Sequence, residues 1–142
     1  LDIDYFKEYN DNYGHQAGDT CIRQVADLLI QMKNQQIFCA RYGGDEFIVI
    51  YKGFSRDEVL SKARKLKHDI EQLNIRHEYS KSAPIVTISQ GICITVPNEL
   101  NRGWVFLHQA DNYRSRVKTK CRNALGSGDF KEMKMENGEV CY

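Results

Sequence analysis

Arg41-Tyr42-Gly43-Gly44-Asp45-Glu46-Phe47 is the stretch whose reading decides the fold. The residues before it, Ile37 to Tyr42, and after it, Phe47 to Tyr51, are rich in β-branched and aromatic side chains, which favour strands. The four residues between them, Gly-Gly-Asp-Glu, can make a tight reversal, because glycine accepts backbone angles that a side chain forbids. A hairpin with two carboxylates at its tip follows.

Working outward, Leu1 to Asp4 reads as the end of a strand, and Tyr5 to Tyr13 as a short helical segment closed by Gly14. From Asp19 the apolar positions Ile22, Val25, Ala26, Leu29, Ile30 and Met32 fall largely on one helical face, with Asn34 as the stop. Ser55-Arg56-Asp57-Glu58 is a capping box that opens an amphipathic helix running to about Gln72, with Val59, Leu60, Ala63, Leu66, Ile70 and Leu73 inward. Pro84 precedes Ile85 to Ser89 and Ile92 to Val96, which read as one long strand or two pieces bent at Gly91, where a glycine suggests a bulge. A further helix spans Gly103 to Lys120, with Trp104 expected to anchor it on the sheet. After Leu125 the tail (126–142) is polar and variable, ending in a possible strand at Glu139 to Tyr142. Helices and strands alternate but the hairpin breaks the βαβ rhythm. The fold class is therefore α/β, a palm-like mixed sheet with a central hairpin flanked by helices, an α/β sandwich.

The 142 residues, 42% hydrophobic and 27% charged, suffice for one core, so residues 1–142 read as a single domain. Lys plus Arg total 20 against 19 Asp plus Glu, so no whole-chain field draws the protein to nucleic acid or to an anionic membrane. The five cysteines are widely spaced with no C-x-x-C pair, which fits neither a disulfide framework nor a zinc site and suits a reducing cytoplasm. The apolar stretches are too short or too interrupted to span a bilayer. The chain opens without methionine, directly in a dense motif, and is expected to be a piece of a longer protein whose parent could carry a sensor or a membrane anchor.

Asp2 and Asp4, two apart at a strand end, send both carboxylates to one face if the backbone stays extended. With Asp45 and Glu46 on the hairpin they could jointly hold Mg²⁺, which prefers hard oxygen ligands and suits phosphoryl transfer. Taken singly, the acid pair is also a solvated strand terminus and the hairpin an ordinary turn. Asn10 and Asp19 have the amide and carboxylate chemistry that addresses guanine, and equally could cap helices. Lys118 and Arg122 share a face if the helix runs through both, as a phosphate grip or as a solvated basic end. His68, His77 and His108 show no ligand spacing and read as surface or packing residues.

Together these motifs resemble the GGDEF family of diguanylate cyclases, a nucleotidyl-cyclase or polymerase-palm type of fold that joins two GTP molecules into cyclic di-GMP. The resemblance is carried by Asp2-Ile3-Asp4-Tyr5-Phe6-Lys7 with Asn10-Asp11, by Gly14 to Asp19, Arg41 to Phe47, Val86 to Gly91 and Ala110-Asp111, and by Lys118 with Arg122-Asn123. It implies Mg²⁺ or Mn²⁺ on Asp2, the Ile3 carbonyl, Asp45 and Glu46, with Asp45 as general base for the 3′-hydroxyl. It further implies that Lys7 stabilises phosphate charge, that main-chain amides at Tyr5 and Phe6 cradle phosphates, and that Gly43 and Gly44 let them approach. Asn10 and Asp19 would bond guanine beside His15, and Lys118 and Arg122 would grip the triphosphate. Partners would be GTP, a second copy in a transient homodimer, and a covalently linked sensor or regulatory domain.

The pattern departs from the family in five respects. Tyr113-Arg114-Ser115 stands where a small residue, an aliphatic and a tyrosine are usual, and Cys121 stands for a glycine. Gln90 takes an apolar position. Asn34 and Ile37 occupy the places of the Arg and Asp of the family's inhibitory product site, so no feedback through that site is expected. The family's upstream strand and helix are not within the chain. The alternative function is a weak or inactive domain that binds GTP and regulates a neighbour.

Overall fold

The computed structural model describes residues 1–97, 102–130 and 140–141. Its elements are β1 (Asp2–Ile3), α1 (Phe6–Tyr13), α2 (His15–Met32), β2 (Ile37–Gly43), β3 (Glu46–Tyr51), α3 (Arg56–Gln72), β4 (Ile88–Ile94), α4 (Gly103–Lys120), β5 (Leu125–Asp129) and β6 (Val140–Cys141). The strands form one mixed sheet in the order β2-β3-β1-β4-β5-β6. Among the described strands only β4 and β5 run parallel, in register from Gln90↔Leu125 to Ile94↔Asp129. The expected mixed α/β architecture is present; the hairpin is β2–β3, and it forms one edge of the sheet instead of its centre.

The period of two along each strand sorts the side chains onto two layers. Ile3, Phe47 and Ile88 face Phe6, Tyr9, Cys21, Ile22, Val25, Leu29, Leu66 and Ile70 in the main core, so α1, α2 and α3 cover that side. Asp2, Asp4 and Ser89 face the other way, toward α4 and the turn that follows it. The alternation thus places apolar residues in one layer and the acids in the other.

Local chemistry sets the boundaries. Ser55 Oγ accepts from the Glu58 amide while Glu58 accepts from the Ser55 amide, a complete capping box that starts α3 one residue later. Asn34 Oδ1 accepts from the amides of Gln36 and Ile37, which turns the chain from α2 into β2. The hairpin closes through Gly44, at φ 54°, and Asp45, with a register shift between Arg41 and Gly43. Arg41 Nε donates to the Gly44 carbonyl at 2.9 Å and braces the turn.

Five expectations need correction. Helix α2 begins at His15, so Asp19 lies inside it and is no N-cap; Gly14, at φ 87°, already breaks the chain between α1 and α2. Gly91 makes no bulge, because β4 stays in unbroken register with β5; a Cβ there would lie 2.0 Å from the Ala110 carbonyl oxygen, so the glycine lets α4 rest on the strand. Trp104 is 66% exposed and so is no buried anchor of α4 on the sheet. The polar tail contains β5, a strand with glycines at 126 and 128 where α4 leaves room for no side chain. Helix α4 stops at Lys120, and Arg122 follows at φ 32°, so Lys118 and Arg122 do not share one helix face. Of the possible strand at Glu139 to Tyr142, Val140–Cys141 is a strand and the two end residues lie outside the described residues.

Candidate active site

Strand β1 sits between β3 and β4, with Asp2 opposite Glu46 on one side and opposite Ser89 on the other. Strand register therefore brings the first acid of Asp2-Ile3-Asp4 beside the acid of the hairpin tip. Asp2 is 4% exposed, and burial pushes its pKa above the ordinary value, with the Asp45 charge adding to the effect while Lys118 and Arg114 oppose it. Arg114 Nη1 donates to Asp2 Oδ2 at 2.6 Å and also to Glu46 Oε1, and Arg114 Nη2 donates to Asp111 Oδ1 at 2.5 Å. The Lys118 ammonium meets Asp2 Oδ1. Among the described residues, no three His, Cys, Asp or Glu side chains converge into a ready metal cage.

Asp4 has a different role from Asp2. It is fully buried, and its carboxylate accepts from Thr87 Oγ1 at 2.9 Å, Ser89 Oγ at 2.6 Å and the Asn123 amide at 2.9 Å. Every one of those donors is protein, so this acid ties β1 to β4 and to the turn after α4. Asn123 Nδ2 reaches Glu71 Oε1 on α3 at 2.9 Å and extends the tie across the sheet.

The turn between β1 and α1 is held in an unusual conformation. Tyr5 lies at φ 54°, a left-handed geometry that a side chain disfavours. Its carbonyl accepts from the Tyr9 amide and lies 3.0 Å from His77 Nε2, while the Arg122 guanidinium stacks on its ring at 4.2 Å. His77 is fully buried, with its ring edge-on to Tyr9. This explains why a histidine without ligand spacing is nonetheless placed here. Phe6 is buried and stacked on Tyr9, and its amide begins the helix.

The remaining predicted residues fall into two groups. Gly43 and Gly44 have nothing within 4 Å of where a Cβ would be, so the hairpin backbone is open to a ligand. Asn10 Oδ1 is buried without a hydrogen-bond partner against Gly18, where an added Cβ would fall 1.8 Å from it. His15 and Asp19, exposed and one turn apart on α2, flank Gly18. Lys7 points to solvent and pairs with Asp11 at 2.7 Å, which raises its pKa. Arg122 comes no nearer to Asp4 than 3.9 Å.

The family model described as "Diguanylate cyclase, GGDEF domain" matches residues 1–124. The chain belongs to the GGDEF domain family of diguanylate cyclases. A protein named "Diguanylate cyclase A" from Treponema denticola is 37% identical over 92 residues, covering 65% of this chain and 24% of that protein. "Probable diguanylate cyclase DgcT" of Escherichia coli is 31% identical over 125 residues, 88% of this chain and 27% of that protein. The chain thus spans about a quarter of the length of these curated relatives. Among solved structures, the GGDEF domain of DgcB from Caulobacter crescentus, determined in complex with c-di-GMP, superposes with a TM-score of 0.76 at 28% identity, covering 89% of this chain and 73% of that one. No described helix of this GGDEF domain is long and apolar enough to cross a membrane.

Two features of this GGDEF domain were not legible as site residues. Arg114 was one basic residue among several near the end of α4, and only its contacts single it out. His77 had no motif around it; its signal was burial, which one sequence does not display.

Proposed function

We propose that the domain condenses two GTP molecules into cyclic di-GMP with release of two pyrophosphates. The observation that carries this reading is the apposition of Asp2 and Glu46 across β1 and β3, beside Asp45, under the cationic end of α4. The donor set fits a hard divalent ion: it offers carboxylate oxygens on two neighbouring strands, one of them in a largely buried residue. Asp2, the Ile3 carbonyl, Asp45 and Glu46 would hold Mg²⁺ or Mn²⁺, which when bound there supplies charge neutralisation for the triphosphate and acidifies the attacking 3′-hydroxyl.

The chain's own groups would do the rest. Asp45, half-buried on the turn, takes the proton from the 3′-hydroxyl as its oxygen bonds to the α-phosphorus and the bond to pyrophosphate breaks. Amides of Tyr5 and Phe6 and the open backbone at Gly43 and Gly44 receive the phosphates, with Lys7, Lys118 and Arg122 balancing their charge. Asn10, whose buried acceptor has no protein donor, bonds guanine together with Asp19, and His15 lines that pocket. The product is two-fold symmetric, so each 3′-hydroxyl must face the α-phosphate of a second copy, which calls for a transient antiparallel homodimer. The partner set is GTP, that second copy and a linked sensor or regulatory domain, in the cytoplasm and without nucleic acid.

A second reading, a domain that holds GTP and regulates a neighbour without turnover, is favoured by the guanidinium lodged between Asp2 and Glu46. Incubation with GTP and Mg²⁺ followed by mass spectrometry separates the two. Cyclic di-GMP formed by the wild-type chain and not by Asp45→Asn supports catalysis. A GTP-induced rise in melting temperature without product supports the second reading.

A further inference from the structure

We propose that Arg114 is a resident counter-cation that competes with the divalent ion for Asp2 and Glu46, so that the free domain holds metal weakly. The inference rests on the reading that these two acids bind metal. Two observations carry it. A single nitrogen of Arg114, Nη1, donates to both Asp2 and Glu46, and so occupies one carboxylate oxygen of each of two acids that would hold the ion. The arrangement is built rather than incidental: the side chain is only 15% exposed, Asp111 one turn earlier on α4 holds the second nitrogen, and Gly91 lets the helix backbone at Arg114 approach β4. A guanidinium keeps its charge at any working pH, so this counter-cation is permanent.

A guanidinium supplies one positive charge where a divalent ion supplies two, and its planar fork suits carboxylates. A metal entering this place must break at least one charge-assisted hydrogen bond, which weakens its apparent affinity by about tenfold to a hundredfold. The triphosphate changes the balance, because it offers Arg114 other anionic oxygens and offers the ion further ligands. Metal and nucleotide are then taken up together, and the empty domain is not preloaded.

The test is Mn²⁺ binding to the full chain without nucleotide, read from the loss of the free-ion paramagnetic resonance signal and from the Mn²⁺ dependence of the melting temperature. Wild type, Arg114→Leu, Arg114→Lys and Asp2→Asn are compared. Arg114→Leu is expected to bind Mn²⁺ at least about tenfold more tightly than wild type and to gain more thermal stability from it. Arg114→Lys, which keeps the charge without the fork, falls between them and serves as the readout if Arg114→Leu does not fold in chelator. If wild type binds Mn²⁺ in an Asp2-dependent way and neither Arg114 variant binds it more tightly, the competition is refuted while the metal site stands. If no variant binds Mn²⁺, with or without GTP, the site reading falls and this inference with it.

Discussion

Removing the Asp4 carboxylate separates the structural acid from the chemical one. In Asp4→Ala, Thr87 Oγ1, Ser89 Oγ and the Asn123 amide all lose their acceptor in a fully buried place. Hydrogen bonds to a charged group are worth about 1.5–3 kcal/mol each, and the space left is large enough for water to restore part of the loss, so the low end applies and the expected cost is about 4 kcal/mol. Asp4→Asn keeps the shape. Its oxygen can serve Thr87 and the Asn123 amide, and its NH₂ can donate to the Ser89 hydroxyl, which turns to accept; only the charge assistance is lost, about 1–2 kcal/mol. Urea unfolding followed by circular dichroism reads both, with turnover measured alongside. The expected order is wild type, then Asp4→Asn, then Asp4→Ala in stability, with Asp4→Asn still active where Asp2→Asn is not. Wild-type stability for Asp4→Ala, or an Asp4→Asn protein as stable as wild type yet as inactive as Asp2→Asn, would refute the reasoning.

Three other outcomes follow from the geometry. Gly91→Ala puts a methyl 2.0 Å from the Ala110 carbonyl oxygen and 2.3 Å from the Arg114 amide nitrogen, both backbone atoms. Helix α4 must retreat by about 1 Å at a cost of about 1–3 kcal/mol, visible as a lower melting temperature together with weaker nucleotide binding. Burial pushes the Cys21 thiol up to about 12 from 9.0, so the folded state holds its proton where the unfolded chain releases it. Stability from this group is whole below pH 9 and declines between pH 9 and 12, by about 1.4 kcal/mol per unit; Cys21→Ala should flatten that slope in alkaline denaturation. Asn34 is engaged by the amides of Gln36 and Ile37, and Ile37 is buried, so neither is available to grip a product. Adding cyclic di-GMP should leave initial rates free of noncompetitive inhibition, and strong inhibition mapped to the end of α2 would contradict this.

The elements with local signals were legible from the chain. The capping box at Ser55 set the start of α3, and the glycine pair between two β-rich runs set the hairpin, because each depends on residues close in sequence. The period of two correctly sent Asp2 and Asp4 to one face. What stayed hidden depends on partners distant in sequence. Strand β5 has almost no strand propensity at Gly126-Ser127-Gly128; it exists because parallel pairing with β4 and close contact with α4 outweigh composition. Helix α2 extends back to His15 through Gly18, a poor helix former kept small by Asn10 pressing against it. The difference between Asp2 and Asp4 is likewise invisible in the motif. It arises from what lies opposite each of them: Arg114 and Lys118 for the first, Thr87, Ser89 and Asn123 for the second.

Tyr5 holds a left-handed backbone that costs a side-chain-bearing residue about 1–3 kcal/mol. Folding meets that cost once, through His77, the Tyr9 amide and the Arg122 stack. The amides at the head of α1 are therefore already fixed in direction, and an anion bound there, as proposed above, would spend little of its binding energy on ordering them. Loosening the His77 support, which has no proposed contact with the phosphates, should leave the amides in place as chemical groups and yet weaken phosphate binding through entropy, with the largest loss where the ligand makes the fewest other contacts.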